Sequence, residues 1–331
     1  MAITNIPVAY QKHLLESMPT KATLLNAGVV SILPTSIFSQ NGGIIYKKPG
    51  IQPISATAAN VEDITASTTL TPVFSTDYVE NVVVSAVGKA FSSYGLIEEL
   101  TVSQVLNMIN SQIAPYFGEQ MQDYLCSLIK GVFDDTNGAL KDTHIYVALT
   151  ESGAVDTMSD IAIASAKAKL GDSMFELDSI IINPDIYNLL YTRGQIYEAQ
   201  AGSISGIYAQ TGIVQKYVGL KTIVNSTLCS PYTHSSGATV YPSYLCGGQP
   251  FSIYTQFPLK ILRDTNILLA GGTETIAAYA NFAAHLEGVS YTGSTPSLGG
   301  ASKSVLETAT NWTKVAQTGN IKCVKLVTLG K

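Results

Sequence analysis

Residues 101–133 read TVSQVLNMINSQIAPYFGEQMQDYLCSLIKGVF, and they set the architecture expected for this chain. Apolar side chains recur there every three or four positions, the spacing of one face of an α-helix. Thr101, with Gln104 three residues later, forms a capping box, which marks a helix start. The pattern predicts a helix over residues 101–133, roughly 50 Å long. Pro115 removes one backbone hydrogen bond and is expected to bend it.

The predicted helix carries few charges. Glu119, Asp123 and Lys130 are its only acidic or basic residues, whereas about a quarter to a third of a solvated protein surface is charged. The remaining positions are mostly Ser, Asn, Gln, Gly and Ala, which allow close approach of another surface. The helix is therefore expected either to lie across the chain's own sheet or to belong to a building block that contacts its neighbours.

The composition of the whole chain indicates a surface covered by other protein. Charged residues make up 13% of the 331 residues, about half the usual share. There are 18 Tyr against 9 Phe and 1 Trp, and tyrosine suits interfaces because it tolerates apolar and wet neighbours. A β-rich fold also favours tyrosine. A chain of this length can bury a large core and hold two domains.

Charge and hydropathy exclude two classes of partner. The net charge is −5, and the longest basic run is Lys47-Lys48, so the chain lacks the basic clusters that grip a phosphate backbone. The first residues have neither a basic start nor an apolar core, so no signal peptide is expected. No apolar stretch approaches the roughly 18 residues of a membrane span, and no membrane partner is expected.

The sequence nominates no catalytic, cofactor-binding or metal-ligating residue, and no cofactor is expected. It contains no P-loop, nucleophile elbow, zinc-protease or dinucleotide-binding motif. His285, two residues before Glu287, is interpreted as a structural hydrogen-bonding group. Residues 134–138, DDTNG, resemble a calcium loop but lack its distal Glu, so they are interpreted as a turn. The four cysteines show no metal spacing and are expected to be reduced, with Cys126 in the core.

An over-long hairpin precedes the predicted helix. Residues 42–49 and the valine-rich residues 77–91 have strand character, and the polar residues 50–71 separate them. A loop of this length inside a domain is unusual unless it acts outside that domain, although disorder is an alternative.

The later part of the chain alternates short helices and strands. Asn183-Pro184 opens a helix, as N-cap and first helical position. The predicted elements are a helix over 158–170 closed by Gly171, strands over 180–182 and 221–224, a strand pair over 241–246 and 251–256, a long strand over 273–285, a strand over 289–292, a helix over 304–309 and a last strand over 321–328.

Taken in order, these segments resemble the major capsid proteins of tailed bacteriophages, which have the Hong Kong 97-like fold. The resemblance rests on residues 77–91 (the returning strand), 109–133 with the ending Lys130-Gly131-Val132-Phe133 (the spine helix), 164–172 and 181–187 (a helix–strand–helix core), 282–289, and 307–312. Where the family usually carries a proline after its histidine, this chain has Leu286-Glu287. The first 75 residues match by position alone.

The resemblance implies an α+β chain divided into arm, loop and two domains. Residues 1–41 would form the N-terminal arm and residues 42–91 the extended β-hairpin loop. Residues 92–145, with the spine helix, and residues 256–331, with the returning strands, would form the peripheral domain. Residues 146–255 would form the axial domain, whose loops meet at the centre of each capsomer.

The implied function is structural, not enzymatic. Copies of the chain would form hexamers and pentamers that close into an icosahedral shell around double-stranded DNA, without sequence-specific binding. Implied partners are portal, scaffolding, and head-decoration or completion proteins, with the scaffold as a separate protein. The implied location is the virion capsid, assembled in the host bacterial cytoplasm. Some relatives cross-link through a loop lysine, a place that Lys47 or Lys48 could take.

Two other functions fit the sequence less well. An encapsulin-type compartment would use the same fold to enclose cargo enzymes, and neighbouring portal and terminase genes would argue against it. A mixed α/β metabolic enzyme is the alternative from another class, although it would need a site outside every motif considered above.

The hairpin loop gives the first test. We expect that replacing residues 50–71 with a short Gly-Ser turn leaves the subunit folded, with near-normal circular dichroism and melting, but prevents closed shells. The loop is too polar to have a core, so its contacts are expected between chains. Light scattering measures the outcome, and an unchanged particle mass would contradict the assignment.

Overall fold

The structure is a computed structural model that describes residues 4–5, 23–34, 44–52, 77–200, 213–255, 260–266, 273–297 and 299–330. Its strands are β1 (Thr4–Asn5), β2 (Val30–Pro34), β3 (Ile45–Ile51), β4 (Asp77–Val83), β5 (Ser85–Tyr94), β6 (Ile145–Val147), β7 (Ser179–Ile182), β8 (Tyr197–Gln200), β9 (Ile213–Tyr217), β10 (Leu220–Val224), β11 (Tyr232–Thr233), β12 (Thr239–Cys246), β13 (Phe251–Thr255), β14 (Lys260–Asn266), β15 (Thr273–Leu286), β16 (Val289–Tyr291), β17 (Trp312–Lys314) and β18 (Cys323–Leu329). Its α-helices are α1 (Thr23–Asn26), α2 (Gly95–Val132), α3 (Asp160–Ala168), α4 (Pro184–Thr192) and α5 (Lys303–Glu307).

Two main sheets organise the described residues. The first has the order β1-β14-β15-β13-β2, and β5 pairs with the long strand β15. The second has the order β6-β18-β12-β7-β10-β9-β8, and β11 pairs with β12. Two smaller pairs, β3 with β4 and β16 with β17, lie outside these sheets. The mixture of helices with largely antiparallel and partly parallel strands is the expected α+β class.

Helix α2 fills the core that both sheets share. The buried positions on its apolar face belong to one cluster with residues of both sheets, and they are Ile113, Phe117, Met121, Leu125, Leu128, Ile129 and Val132. Tyr124 meets Phe282 of the first sheet edge to face, with ring centroids 5.2 Å apart. Phe133, next after the helix, meets Tyr244 of the second sheet at 5.6 Å. The described part of the apolar face is therefore core, as predicted.

The start of the spine helix was predicted too late. Helix α2 begins at Gly95 and passes through Pro115, so Thr101 lies inside the helix and is not its cap. Strand β5 leads directly into α2, and residues 96–100, LIEEL, are good helix formers.

Part of the predicted N-terminal arm belongs to the body of the protein. Leu24 of α1 is buried, and its backbone N–H donates to Gln122 Oε1 on α2 at 2.9 Å. Strand β2 extends the first sheet by parallel pairing with β13. Apart from the short strand β1, the rest of residues 1–41 lies outside the described residues. Residues 23–34 thus pack on the body of the protein through Leu24, Leu25, Val29 and Val30, which are buried, whereas Ile32 and Leu33 are exposed. The assignment of residues 1–41 to an arm stays a prediction.

The predicted pairing of residues 241–246 with 251–256 is also wrong. Strand β12 pairs with β18 and β7 in the second sheet, whereas β13 pairs with β15 and β2 in the first. Between them the chain passes Gly248, which has a positive φ of 62°, and crosses from one sheet to the other. A fully buried strand has no alternation of polar and apolar residues, so sequence proximity alone suggested the pairing.

The valine-rich residues 77–91 form two strands that separate at Val84. The backbone N–H of Val84 donates to Ile44 O at 2.8 Å, and its carbonyl accepts from Ala301 N at 2.9 Å. Strand β4 then pairs with β3, whereas β5 pairs with β15. The predicted loop tip lies outside the described residues beyond Gln52, as do residues 201–206.

The core face of α2 gives the second test. Leu125 is fully buried, so Leu125→Asp would place an unpaired charge in the core, and we expect a loss of about 4 kcal/mol or more in the free energy of unfolding. Gln120→Asp introduces the same residue on a half-exposed position of the helix and should cost far less. Denaturant unfolding of the soluble subunits measures both, and equal costs would contradict the core assignment.

Candidate functional site

Strands β3 and β4 form a ribbon outside the two main sheets. Their antiparallel register runs from Ile45 opposite Val83 to Ile51 opposite Asp77. A two-stranded ribbon is marginally stable in water by itself. Its position therefore depends on the contacts of its inner face, which presents residues 46, 48, 50, 78, 80 and 82.

Glu80 is the centre of the inner face and is 2% exposed. Its Oε2 lies 2.8 Å from Nε2 of His285, and its Oε1 accepts the backbone N–H of Gly288 at 2.7 Å. Because an ionised carboxylate only accepts hydrogen bonds, Nε2 is the ring nitrogen that carries hydrogen. Lys48, opposite Glu80 in the register, places Nζ 3.4 Å from Oε2. One carboxylate thus joins three segments that are distant in sequence.

These contacts keep the carboxylate charged. Burial by itself would raise the pKa of Glu80, but the hydrogen bond and the electrostatic interaction with His285, the positive charge of Lys48, and the Gly288 N–H together hold that pKa below its ordinary value. Burial would likewise lower the pKa of Lys48, but the negative charges nearby, chiefly that of Glu80, outweigh it and raise this pKa. The lysine and the carboxylate therefore stabilise each other's ionised form.

The turn that receives Glu80 requires glycine. Gly288 has a φ of 88°, and a Cβ there would lie 2.6 Å from Cγ1 of Ile321. Beside this turn, Ser290 Oγ accepts the backbone N–H of Asn81 at 3.0 Å, and the Asn81 side chain donates to Tyr291 O at 3.1 Å. The ribbon is thus fixed along β4 to the turn between β15 and β16 and to β16 itself.

Towards Ile51 and Asp77, the outer face of the ribbon exposes apolar side chains, with the charged Lys47 and Asp77 beside them. Ile51 is 72% exposed and Val79 is 47% exposed, and Pro49, which is also exposed, lies opposite Val79 in the register. The ribbon therefore contacts its own chain through Glu80 on one face and presents an apolar strip of Pro49, Ile51 and Val79 on the other. We call these three residues the outer strip.

The two loop lysines differ in their surroundings. Lys48 is held by Glu80 and by Glu287, whose Oε1 lies 3.3 Å from its Nζ. Lys47 has its side chain on the exposed outer face. Of the two residues considered for a cross-link, Lys48 is thus occupied by ion pairs, and Lys47 is the more accessible.

A second buried charge lies where α2 ends. Lys325 is 5% exposed, and its Nζ donates to Phe133 O at 3.0 Å and to Asp135 Oδ1 at 2.8 Å. The Tyr232 hydroxyl donates to the other oxygen of Asp135. Burial lowers the pKa of Lys325, and the negative charge of Asp135, which acts to raise it, only partly offsets this shift. These groups border a cavity of about 430 Å³, but they satisfy one another and so brace the helix end.

The described residues do not assemble a metal site or a membrane span. Among them, no group of three or more His, Cys, Asp or Glu is placed to hold a metal ion. No helix in this part of the chain is long and apolar enough to cross a membrane.

The sequence interpretation located part of this arrangement. His285 is a buried hydrogen-bonding group, as expected, but its partner is Glu80 and not Glu287. The turn after α2 is also as expected, because Asp134 Oδ1 accepts from the backbone N–H groups of Thr136 and Asn137. Glu80 itself was missed. The sequence does hold a sign of it, because Glu80 lies in a valine-rich strand on the same face as Val82. An acidic residue at such a position is expected to be buried, and a buried acid requires hydrogen-bonding or charged partners.

Comparison with known proteins gives a consistent result. No protein-family model matches the chain. The chain is 26% identical over 245 residues to the major capsid protein of Bacillus phage SPP1, which covers 72% of this chain and 69% of that protein. Its structure resembles the capsid of Ralstonia phage GP4, with a TM-score of 0.62 and 10% identity over 94% of this chain and 92% of the other. It also resembles the capsid of cyanophage Pam1, with a TM-score of 0.57 and 13% identity over 94% and 93%.

The structural likeness confirms the fold that the sequence resemblance implied. The chain has the α+β, Hong Kong 97-like fold of phage capsids. The ribbon of β3 and β4 is the described part of the predicted extended loop, and α2 is the predicted spine helix. The surface that the ribbon presents is therefore the candidate functional site.

The buried carboxylate gives a test with a pH dependence. Glu80→Gln places amide hydrogens among the donors of His285, Gly288 and Lys48, and we expect it to lower the free energy of unfolding by about 1–3 kcal/mol near neutral pH. Because the pKa of Glu80 is lowered from 4.5 in the folded state, the carboxylate stabilises the fold above that pH. Its contribution is lost as the pH falls through the folded pKa.

Denaturant unfolding of both proteins across acidic and neutral pH measures this effect. The difference between wild type and Glu80→Gln should shrink on acidification. Glu287→Gln is the matched control, because the Glu287 side chain is 53% exposed and its ion pair is screened by solvent. A difference that does not change with pH, or that equals the control, would contradict the role of Glu80.

Proposed function

We propose that this chain is the major capsid protein of a tailed bacteriophage. Many copies assemble as hexamers and pentamers into an icosahedral shell that encloses double-stranded DNA, and the chain is structural, not an enzyme. The observation that carries the proposal is the ribbon, which is fixed on one face by Glu80 and presents the outer strip on the other. The relative in Bacillus phage SPP1 and the two phage capsids support it.

The ribbon has the properties of an intersubunit contact. Its outer strip exposes apolar side chains that gain free energy when another surface covers them. Its inner face is fixed by buried hydrogen bonds, so little ordering is required on association. A head-to-tail contact between identical subunits closes into a ring when the rotation between them is suitable, which is how five or six copies would form a capsomer.

The domain division follows the family resemblance, with two adjustments from strand pairing. Residues 1–41 remain the proposed arm, 42–91 the extended loop, 92–145 with 256–331 the peripheral domain, and 146–255 the axial domain. Strand β18 pairs with β6 and β12 of the second sheet, and β13 pairs with β15 of the first. We therefore propose that β18 joins the axial sheet and that β13 joins the peripheral one.

The acidic chain suits a container for DNA. With a net charge of −5, the wall would not bind phosphate strongly, so the genome could enter and leave. Portal, scaffolding, and head-decoration or completion proteins are proposed as partners, with assembly in the host cytoplasm and a final location in the virion capsid. The phage relatives favour a virion shell over an encapsulin compartment, and the mutually satisfied groups at the cavity beside Lys325 give a metabolic enzyme no support.

Electron microscopy of the purified protein tests the proposal through the outer strip. Wild type is expected to form shells, rings or tubes. Val79→Glu places a charge in the contact and should abolish these assemblies while the subunit keeps its circular dichroism and melting. Val79→Thr preserves the shape of the side chain and its preference for a strand, and it should assemble. Featureless wild-type particles, or normal shells from Val79→Glu, would contradict the proposed use of the ribbon.

A further inference from the structure

All four cysteines of the chain lie in one core. Cys126 is on α2, Cys229 follows β10, Cys246 ends β12 and Cys323 begins β18. Each is buried and unbridged, and all belong to the same hydrophobic cluster as the apolar face of α2. The fold thus brings together thiols that the sequence spaces far apart.

Two of these thiols are in direct contact. The Sγ atoms of Cys246 and Cys323 are 3.8 Å apart, and the two residues are opposite each other in the antiparallel register of β12 and β18. The neighbouring backbone N–H of Gly247 donates to Lys322 O at 2.9 Å. That bond identifies Cys246 and Cys323 as a non-hydrogen-bonded pair, the type in which side chains approach most closely.

The register suits a disulfide. The Cα atoms of a non-hydrogen-bonded antiparallel pair are about 4.5 Å apart, at the short end of the range that disulfides span. The Sγ atoms would have to close from 3.8 Å to about 2.05 Å, and rotation of the two side chains about their Cα–Cβ bonds can supply this because the strands are already close. Cys229 is committed elsewhere, because its Sγ lies 3.5 Å from Ile181 O.

We propose that Cys246 and Cys323 form a site of reversible oxidation, at which a two-electron oxidant converts the two thiols into a cross-strand disulfide within the subunit. The two S–H bonds break and one S–S bond forms. The two protons and two electrons pass to the oxidant. In the test below the oxidant is a diazenedicarboxamide (diamide), which becomes the corresponding hydrazine.

The environment keeps the pair reduced until an oxidant acts. Burial, and then the hydrogen bond with Cys246, hold the pKa of the Cys323 thiol well above its ordinary value. Since the thiolate is the reactive form, oxidation requires transient opening of the sheet edge or core. A disulfide across so short a Cα separation is strained, and strained disulfides are reduced more easily. The site thus stays reduced in a reducing compartment, and its oxidation requires a supplied oxidant.

The bridge would join two neighbouring strands of the second sheet and close a long covalent loop of the chain. The segment between Cys246 and Cys323 contains β13, β14 and β15 of the first sheet, whereas both cysteines lie in the second. A cross-link over a span of 77 positions restricts the unfolded chain strongly. For a shell, a consequence that rests on the proposed function, each subunit of a released particle would gain an internal covalent tie without any link between subunits.

Mass spectrometry of the full chain tests the site. The protein is treated with diamide just below its melting temperature, unfolded with an alkylating agent, and digested without reduction. We expect a Cys246–Cys323 linked peptide, alkylated Cys126 and Cys229, and four alkylated thiols when reductant precedes unfolding. Cys229→Ala, the matched control, should keep the bridge, and Cys323→Ala should lose it. Four alkylated thiols after diamide, or a bridge to Cys126 or Cys229, would overturn the proposal.

Melting of the same samples tests the consequence. The oxidised wild type should melt about 5 °C higher than the reduced protein, and Cys323→Ala should show no such difference. A bridge that leaves the melting temperature unchanged would overturn the proposed stabilisation by the covalent loop. Both measurements are made on unassembled subunits, so they are independent of whether the chain forms shells. If electron microscopy shows no assemblies, that result contradicts the proposed function and leaves the oxidation site untouched.

Discussion

The buried face of α2 is the contact on which the rest of the structure depends. Its side chains pack on both sheets at once, through Tyr124 on Phe282 and through Phe133 on Tyr244. Apolar burial is the largest stabilising contribution in folding, and here one helix supplies it to two sheets. The second buried charge, Lys325, holds the end of that helix to β18 through Phe133 O. Helix and sheets are therefore one packing unit.

The ribbon is held in place by a polar interaction and not by apolar packing. A two-stranded element has too little apolar surface to fix itself, so its position is set by a buried carboxylate with several donors. A buried acid without partners would destabilise the fold. The donors of His285, Gly288 and Lys48 stabilise the carboxylate, and their positions also fix the orientation of the ribbon. This arrangement leaves the opposite face of the ribbon free to be apolar. That separation of an anchored face from an exposed one is what an intersubunit loop requires.

Much of the fold could be predicted because its signals are local. The apolar spacing of residues 113–132 predicts the core face of α2, and Asn183-Pro184 predicts the start of α4. The structure confirms that start, because Asn183 Oδ1 accepts a hydrogen bond from Asp185 N. The candidate site was less accessible to such reasoning. The length of the hairpin indicated the ribbon. Glu80 and His285, however, are 205 positions apart, and neither segment contains a pattern that identifies the other as its partner. The predicted pairing of β12 with β13 was wrong for the same reason.

The sequence by itself determined the α+β class, the spine helix, the over-long hairpin, the low charge of the surface and the order of segments that resembles a capsid protein. These follow from periodicity, propensity and composition, which act over a few residues or over the whole chain. Only the tertiary structure decided which strands share a sheet, where the chain crosses between sheets, and which groups meet Glu80. It also brought Cys246 and Cys323 into contact. Such pairings depend on the packing of surfaces that are distant in sequence, and a fully buried strand carries no pattern that identifies its partner.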